Sequence, residues 1–121
     1  MSPYRLTDVE KADVKEEMLS LMIDLAKHRK VVTYSEFCGL LQTVTLHPHS
    51  FIFARLLDEV CGDAYERGYG MLCALIVSKA TGMPSAGYFR RRIPLEANDR
   101  TPEQIWQEER DSVFAQWEQE T

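Results

Sequence analysis

A short strand is predicted to lead directly into a helix at Val31-Val32-Thr33-Tyr34-Ser35-Glu36. The β-branched residues Val31, Val32 and Thr33 favour an extended backbone. Thr33 and Glu36 stand three positions apart, which is the spacing of a capping box at a helix N-terminus. The sequence therefore predicts an edge of a small sheet, followed at once by a short helix.

Helices are predicted on both sides of this stretch. Upstream, apolar residues recur at steps of three and four, which predicts an amphipathic helix over residues 8–29, capped by Thr7 or Asp8. Downstream, Ser50 is expected to cap a further helix that ends at Gly62. Residues 33–62 together then form a helix-turn-helix.

The second half of the 121-residue chain predicts a hairpin and a last helix. The apolar run from Met71 to Ser78 is typical of a strand buried on both faces, and Tyr88-Phe89 begins a return strand. We therefore expect a β-hairpin over residues 71–92. Thr101-Pro102-Glu103-Gln104 combines a cap, a proline at the first helical position and a capping box, which predicts a helix over residues 101–120.

This order of elements predicts one α+β domain over residues 1–121, of winged helix-turn-helix type. It is mainly helical, with a small β-hairpin as the wing and an additional C-terminal helix. In winged-helix domains the third helix enters the major groove of DNA and the wing contacts the backbone. Two internal segments, 25–55 and 79–95, carry net positive charge, whereas the total formal charge is −5.

The amino-acid sequence of these elements resembles that of the DNA-binding domain of O6-alkylguanine-DNA alkyltransferases and the alkyltransferase-like proteins, over roughly residues 15–90. Val31 to Glu36 is similar to the entry to their second helix. Cys73, Gly82 and Gly87-Tyr88 occupy places like those of their cysteine-bearing strand and glycine-bearing wing. The segment from Val77 to Pro84, with Gly87-Tyr88-Phe89, also resembles small bacterial proteins to which no activity is attached.

The alkyltransferase resemblance does not extend to the active site. In that family a histidine follows the reactive cysteine, whereas Ala74 and Leu75 follow Cys73 here. A thiol within an apolar strand, without a neighbouring base, is expected to be inert. The sequence therefore predicts a non-enzymatic protein, with alkyl transfer by Cys73 as a distant alternative.

The cysteines indicate a reducing environment, and the hydropathy indicates a soluble protein. Cys38, Cys61 and Cys73 are widely spaced and form no C-x-x-C pair, which favours free buried thiols over a disulfide or a zinc site. The longest apolar run is far shorter than the roughly 18 residues of a membrane span. We expect a cytoplasmic protein without membrane contact, cofactor or bound metal.

Two binding functions follow from these patterns. The leading hypothesis is nucleic-acid binding, with duplex DNA as the expected partner, through a set of polar and basic residues: Tyr34, Ser50, Arg55, Lys79, Arg90, Arg91 and Arg92. The alternative is an acidic protein-interaction or adaptor module. In that case Trp106 and Trp117 on the C-terminal helix contact a protein partner or a second copy of the chain.

Overall fold

The computed structural model describes residues 6–85, 88 and 101–118. This part of the chain is mainly helical and contains one two-stranded sheet. The elements in chain order are α1 (Asp8–Lys27), β1 (Val32–Thr33), α2 (Tyr34–Leu40), α3 (Phe51–Glu66), a 3-10 helix (Leu72–Leu75), β2 (Ile76–Val77) and α4 (Pro102–Glu118). The expected mainly helical chain with a small sheet is therefore present.

Each of the helices α1 to α4 begins at a cap that the sequence predicts. Thr7 and Thr33 form complete capping boxes at the starts of α1 and α2. Ser50 accepts a hydrogen bond from a backbone N–H in the first turn of α3, and Thr101 and Gln104 form a reciprocal pair at the start of α4. These bonds satisfy backbone donors that would otherwise lack a partner within the helix.

α1 is the central helix of the core. Its residues Val14, Met18 and Met22 are fully buried, and the helix packs against α3, the 3-10 helix and α4. Burial of each such side chain contributes about 1.5–3 kcal/mol. The apolar stripe predicted from the sequence therefore faces the core.

The C-terminal helix packs on its own chain. Arg29 follows the end of α1 with a positive φ of 54°. Its guanidinium lies 5.1 Å from the centre of the Phe114 ring and 2.8 Å from a carboxylate oxygen of Glu118. These contacts tie the end of α1 to the last turns of α4.

The predicted central strand is wrong over most of its length. Leu72–Leu75 forms the 3-10 helix, and the strand that follows, β2, has two residues. Leu72, Ala74 and Leu75 are buried, in an element that contacts α1, α3 and α4. An apolar run of this length fits a buried strand or a segment buried among helices, so its hydropathy does not distinguish them.

The sheet is also connected differently from the prediction. β2 pairs in parallel with β1, Ile76 opposite Val32 and Val77 opposite Thr33, instead of opening a hairpin. Parallel strands need a long crossover, and α2 and α3 provide it. The expected return strand lies outside the described residues, except for Tyr88, which has a helical backbone conformation.

Gly62 and Gly82 mark two local features of the fold. α3 continues beyond Gly62 to Glu66, because a glycine within a helix costs only about 1 kcal/mol and packing of the helix outweighs it. After β2 the chain makes a closed turn, in which the N–H of Ser78 donates to the carbonyl of Met83 and the N–H of Gly82 to that of Ser78, both at 2.8 Å. Gly82 has a φ of 71°, which favours glycine.

Candidate functional site

A cleft of about 850 Å³ opens between the first turns of α3 and the segment that includes the 3-10 helix. Its lining includes Tyr34, Phe51, Arg55, Cys73 and Tyr88. These residues come from four separate parts of the sequence. The volume lies within the range of about 300–1,000 Å³ that is typical of ligand pockets.

α3 forms one wall of the cleft, and its two faces differ in burial. Phe53 and Leu56 are buried in the core, while Phe51 is 95% exposed and Arg55 is exposed. Phe51 and Arg55 are four residues apart, so they project from the same face of the helix, one turn apart. The start of α3 therefore presents an aromatic ring and a cation side by side.

Ser50 is used by the fold. Its hydroxyl donates to the carbonyl of His47 at 2.8 Å and accepts from the N–H of Phe53 at 3.2 Å. These two bonds set the start of α3 and the preceding turn. The predicted contact residue Ser50 thus positions Phe51 at the rim of the cleft.

Tyr34 is also bonded within the chain. Its hydroxyl accepts a hydrogen bond from the backbone N–H of Ser85 at 2.8 Å, and its ring packs edge-on against Phe53, with ring centres 6.4 Å apart. The side chain connects α2 to the turn that follows β2. It forms part of the cleft wall in a fixed position.

Lys79 is exposed on that turn and lies close enough to Glu36 to affect its ionisation. Hydrogen bonds from Thr33 lower the pKa of Glu36 most, and the positive charge of Lys79 lowers it further. Among the residues that the structure describes, Lys79 is not one of those that line the cleft. Arg90, Arg91 and Arg92, the basic residues predicted for the wing, lie outside the described residues.

The cysteines differ from the prediction of three free thiols. Cys61 on α3 and Cys73 in the 3-10 helix form a disulfide, with Cα atoms 5.8 Å apart. Cys38 is a free, buried thiol, and burial raises its pKa to about 11. The spacing of 12 residues between Cys61 and Cys73 gave no signal of the bond, because the pairing depends on where the fold places the 3-10 helix.

The two tryptophans face the interior of the molecule. Trp106 is 7% exposed, and its Nε1 donates to the carbonyl of Ala74 at 2.8 Å. Trp117 is partly buried, and its Nε1 donates to the carbonyl of Tyr69 at 2.9 Å. Both indoles predicted to contact a partner therefore pack within this chain, which explains two tryptophans on one helix without a partner.

The turn before α3 contains His47 and His49, and these two residues contact each other. Nδ1 of His47 accepts from the N–H of His49 at 3.1 Å, and the two ring centres are 5.6 Å apart. Within residues 6–85, 88 and 101–118, no cluster of three or more His, Cys, Asp or Glu side chains has a geometry suited to a metal. In the same residues, no helix is long and apolar enough to cross a membrane.

Comparison of the chain with protein-family models, with curated proteins and with solved structures finds no match. The functional argument therefore rests on the cleft and on the exposed face of α3. Phe51 is not among the site residues predicted from the sequence, and the structure leaves it 95% exposed at the cleft.

Proposed function

We propose that this protein is a non-enzymatic nucleic-acid-binding module of winged-helix type, which contacts duplex DNA through the start of α3. The observation that carries the proposal is the pairing of an exposed aromatic ring, Phe51, with the exposed cation of Arg55 at the mouth of the cleft. A planar ring and a guanidinium on one helix face fit a base and a phosphate.

The direction of α3 supports contact at its N-terminal end. The N-terminus of a helix carries a partial positive charge that favours phosphate. The acidic residues Asp58 and Glu59 come later in the helix, and Lys15 lies 3.3 Å from Glu59 and offsets part of its charge. Asp58 lines the same cleft one turn beyond Arg55, so we expect phosphate contact on the N-terminal side of Arg55, near Phe51.

The order of helices supports a winged-helix class in outline. α2 and α3 follow a short strand, as in that class. The connection between α2 and α3, residues 41–50, is longer than the three or four residues of a compact helix-turn-helix. Pro48 and His49, near the end of this connection, line the cleft.

Alkyl transfer plays no part in the proposal. The nucleophile in such chemistry is a thiolate. The sulfur of Cys73 is bonded to that of Cys61, so it offers no thiolate in this state. A binding role for the cleft is consistent with that bond.

The test is a fluorescence-anisotropy titration with mixed-sequence duplex DNA at low and at moderate salt. We compare wild type with Phe51→Ala and Arg55→Ala, and use Val9→Ala, a change at another exposed apolar residue, as the matched control. Loss of the Phe51 ring removes an apolar contact to the base steps of the duplex and is expected to weaken binding. Loss of one phosphate contact lowers the salt slope by about one.

A triple variant, Arg90→Ala with Arg91→Ala and Arg92→Ala, tests the predicted basic wing in the same assay. Salt-sensitive binding by wild type and the Val9 control, weakened in the Phe51 and Arg55 variants, supports the proposal. Absence of binding at low salt contradicts it. That result favours the second candidate, a protein-interaction module that uses the exposed Phe51 on a chain with a net charge of −5.

A further inference from the structure

The Cys61–Cys73 disulfide lies in the wall of the cleft, and its two halves differ in access. Cys61 is 1% exposed on the inner side of α3, whereas Cys73 is only partly buried in the 3-10 helix. Both residues contribute to the cleft lining. A molecule that enters the cleft therefore reaches the bond from the Cys73 side.

Access decides which sulfur of a disulfide an incoming thiolate attacks. We infer that Cys73 is a modification site, at which a low-molecular-weight thiol opens the Cys61–Cys73 bond and remains attached within the cleft. The class of ligand is a small peptide thiol, such as glutathione.

The small thiol and its disulfide form are the only reactants that the exchange requires. The thiolate of the small thiol attacks the Sγ of Cys73, a new sulfur–sulfur bond forms, and Cys61 leaves as a thiolate that takes a proton from water. A second small thiol then attacks the mixed disulfide, which releases the Cys73 thiol and the oxidised small molecule. The reverse sequence, driven by the disulfide form of the small thiol, restores the Cys61–Cys73 bond.

The surroundings of Cys73 suit this ligand class. The cleft has a volume of about 850 Å³, which is sufficient for a tripeptide, and its lining includes Asp58 and the cation of Arg55, which can pair with a peptide carboxylate. The third cysteine is not an equivalent site, because Cys38 is buried on the core-facing side of α2 and is not among the described cleft residues.

The experiment uses the whole chain and mass spectrometry. Wild-type protein, purified without reductant, is incubated under native conditions with glutathione at graded ratios of its reduced and disulfide forms, then quenched in acid and weighed intact. We expect one glutathione per chain at intermediate ratios, and peptide mapping that places it on Cys73.

Single-cysteine changes separate the two sulfurs. With glutathione disulfide, Cys61→Ser, which leaves Cys73 free, gains the adduct at a rate about tenfold or more above that of Cys73→Ser, since a buried thiol reacts only after local opening. Cys38→Ala is the matched control and retains the wild-type pattern. Circular dichroism checks that each variant is folded.

An adduct on Cys61 in folded wild type, the absence of any adduct at all ratios, or three free thiols after exposure to glutathione disulfide overturns the inference. The wild-type experiment decides between these outcomes even if a serine variant fails to fold. The readout involves no nucleic acid, so this inference and the proposed function fail or stand separately.

Discussion

The indole Nε1 of Trp106 donates a hydrogen bond to the backbone carbonyl of Ala74 over 2.8 Å, inside the core. This bond joins α4 to the 3-10 helix. On α4 itself, the guanidinium of Arg110 lies 5.0 Å from the centre of the Trp106 ring. The C-terminal helix therefore completes the core of its own chain.

Trp106→Phe is expected to lower the free energy of unfolding. It keeps an aromatic ring but leaves the buried carbonyl of Ala74 without its donor, which costs about 1–3 kcal/mol. Urea unfolding measures the change. Trp117→Phe is the matched control, because Trp117 is partly buried and water reaches its acceptor more easily, so its loss is expected to be smaller. An equal or larger loss in the control contradicts the assignment.

Tyr34→Phe is expected to loosen the turn after β2 while leaving the core intact. The change removes the acceptor for the Ser85 N–H, and because Ser85 is exposed, water replaces much of the bond. We expect a loss of stability near the low end of about 0.5–1.5 kcal/mol. Hydrogen exchange at the Ser85 amide should be faster in this variant and unchanged in Tyr65→Phe. Unchanged exchange in Tyr34→Phe argues against the bond.

The helices were predictable from the sequence because their information is local. The caps at Thr33, Ser50 and Thr101 act within three residues, and the apolar stripe of α1 repeats within each turn. The boundaries that failed depend on distant contacts. α3 passes through Gly62 and Leu72–Leu75 forms a 3-10 helix, and both segments pack against other helices.

The candidate site was predictable only in part for the same reason. Arg55 is recognisable in the sequence as a cation near a helix start, and the structure places it on the cleft. Ser50 and Tyr34 are predicted contact residues, but their hydroxyls are bonded within the chain. The partner of a hydroxyl 51 residues away, as for Tyr34 and Ser85, is set by the fold and leaves no periodic signal in the sequence.

Glu17 is expected to make stability depend on acidity. Burial raises the pKa of its carboxyl, but hydrogen bonds from the backbone N–H groups of Gln42 and Thr43, at 2.8 and 3.1 Å, outweigh burial and hold the pKa below its ordinary value. Because the folded pKa is depressed, the stabilisation is present above the unfolded pKa of about 4.3 and is lost as pH falls through the folded pKa.

The measurement is urea unfolding of wild type and Glu17→Gln from about pH 6 down to about pH 3, across the range of carboxyl titration. The glutamine variant should be less stable at the upper end and should lose less stability on acidification. Glu16→Gln removes the same charge from an exposed position of the same helix and is the control. Parallel pH profiles for wild type and Glu17→Gln contradict the role of the carboxylate.

Reduction of the Cys61–Cys73 bond is expected to lower the free energy of unfolding without abolishing the fold. The bond closes a loop with a sequence separation of 12, and a loop of that size constrains the unfolded chain by about 2–3 kcal/mol. Urea unfolding with and without a phosphine reductant measures the difference.

The double change Cys61→Ala with Cys73→Ala should make stability independent of the reductant. Cys38→Ala removes a buried thiol outside the bond, so it should lower stability in both conditions and preserve the difference between them. A reductant effect that persists in the double variant, or disappears in Cys38→Ala, assigns the stabilisation to other sulfur atoms than those of Cys61 and Cys73.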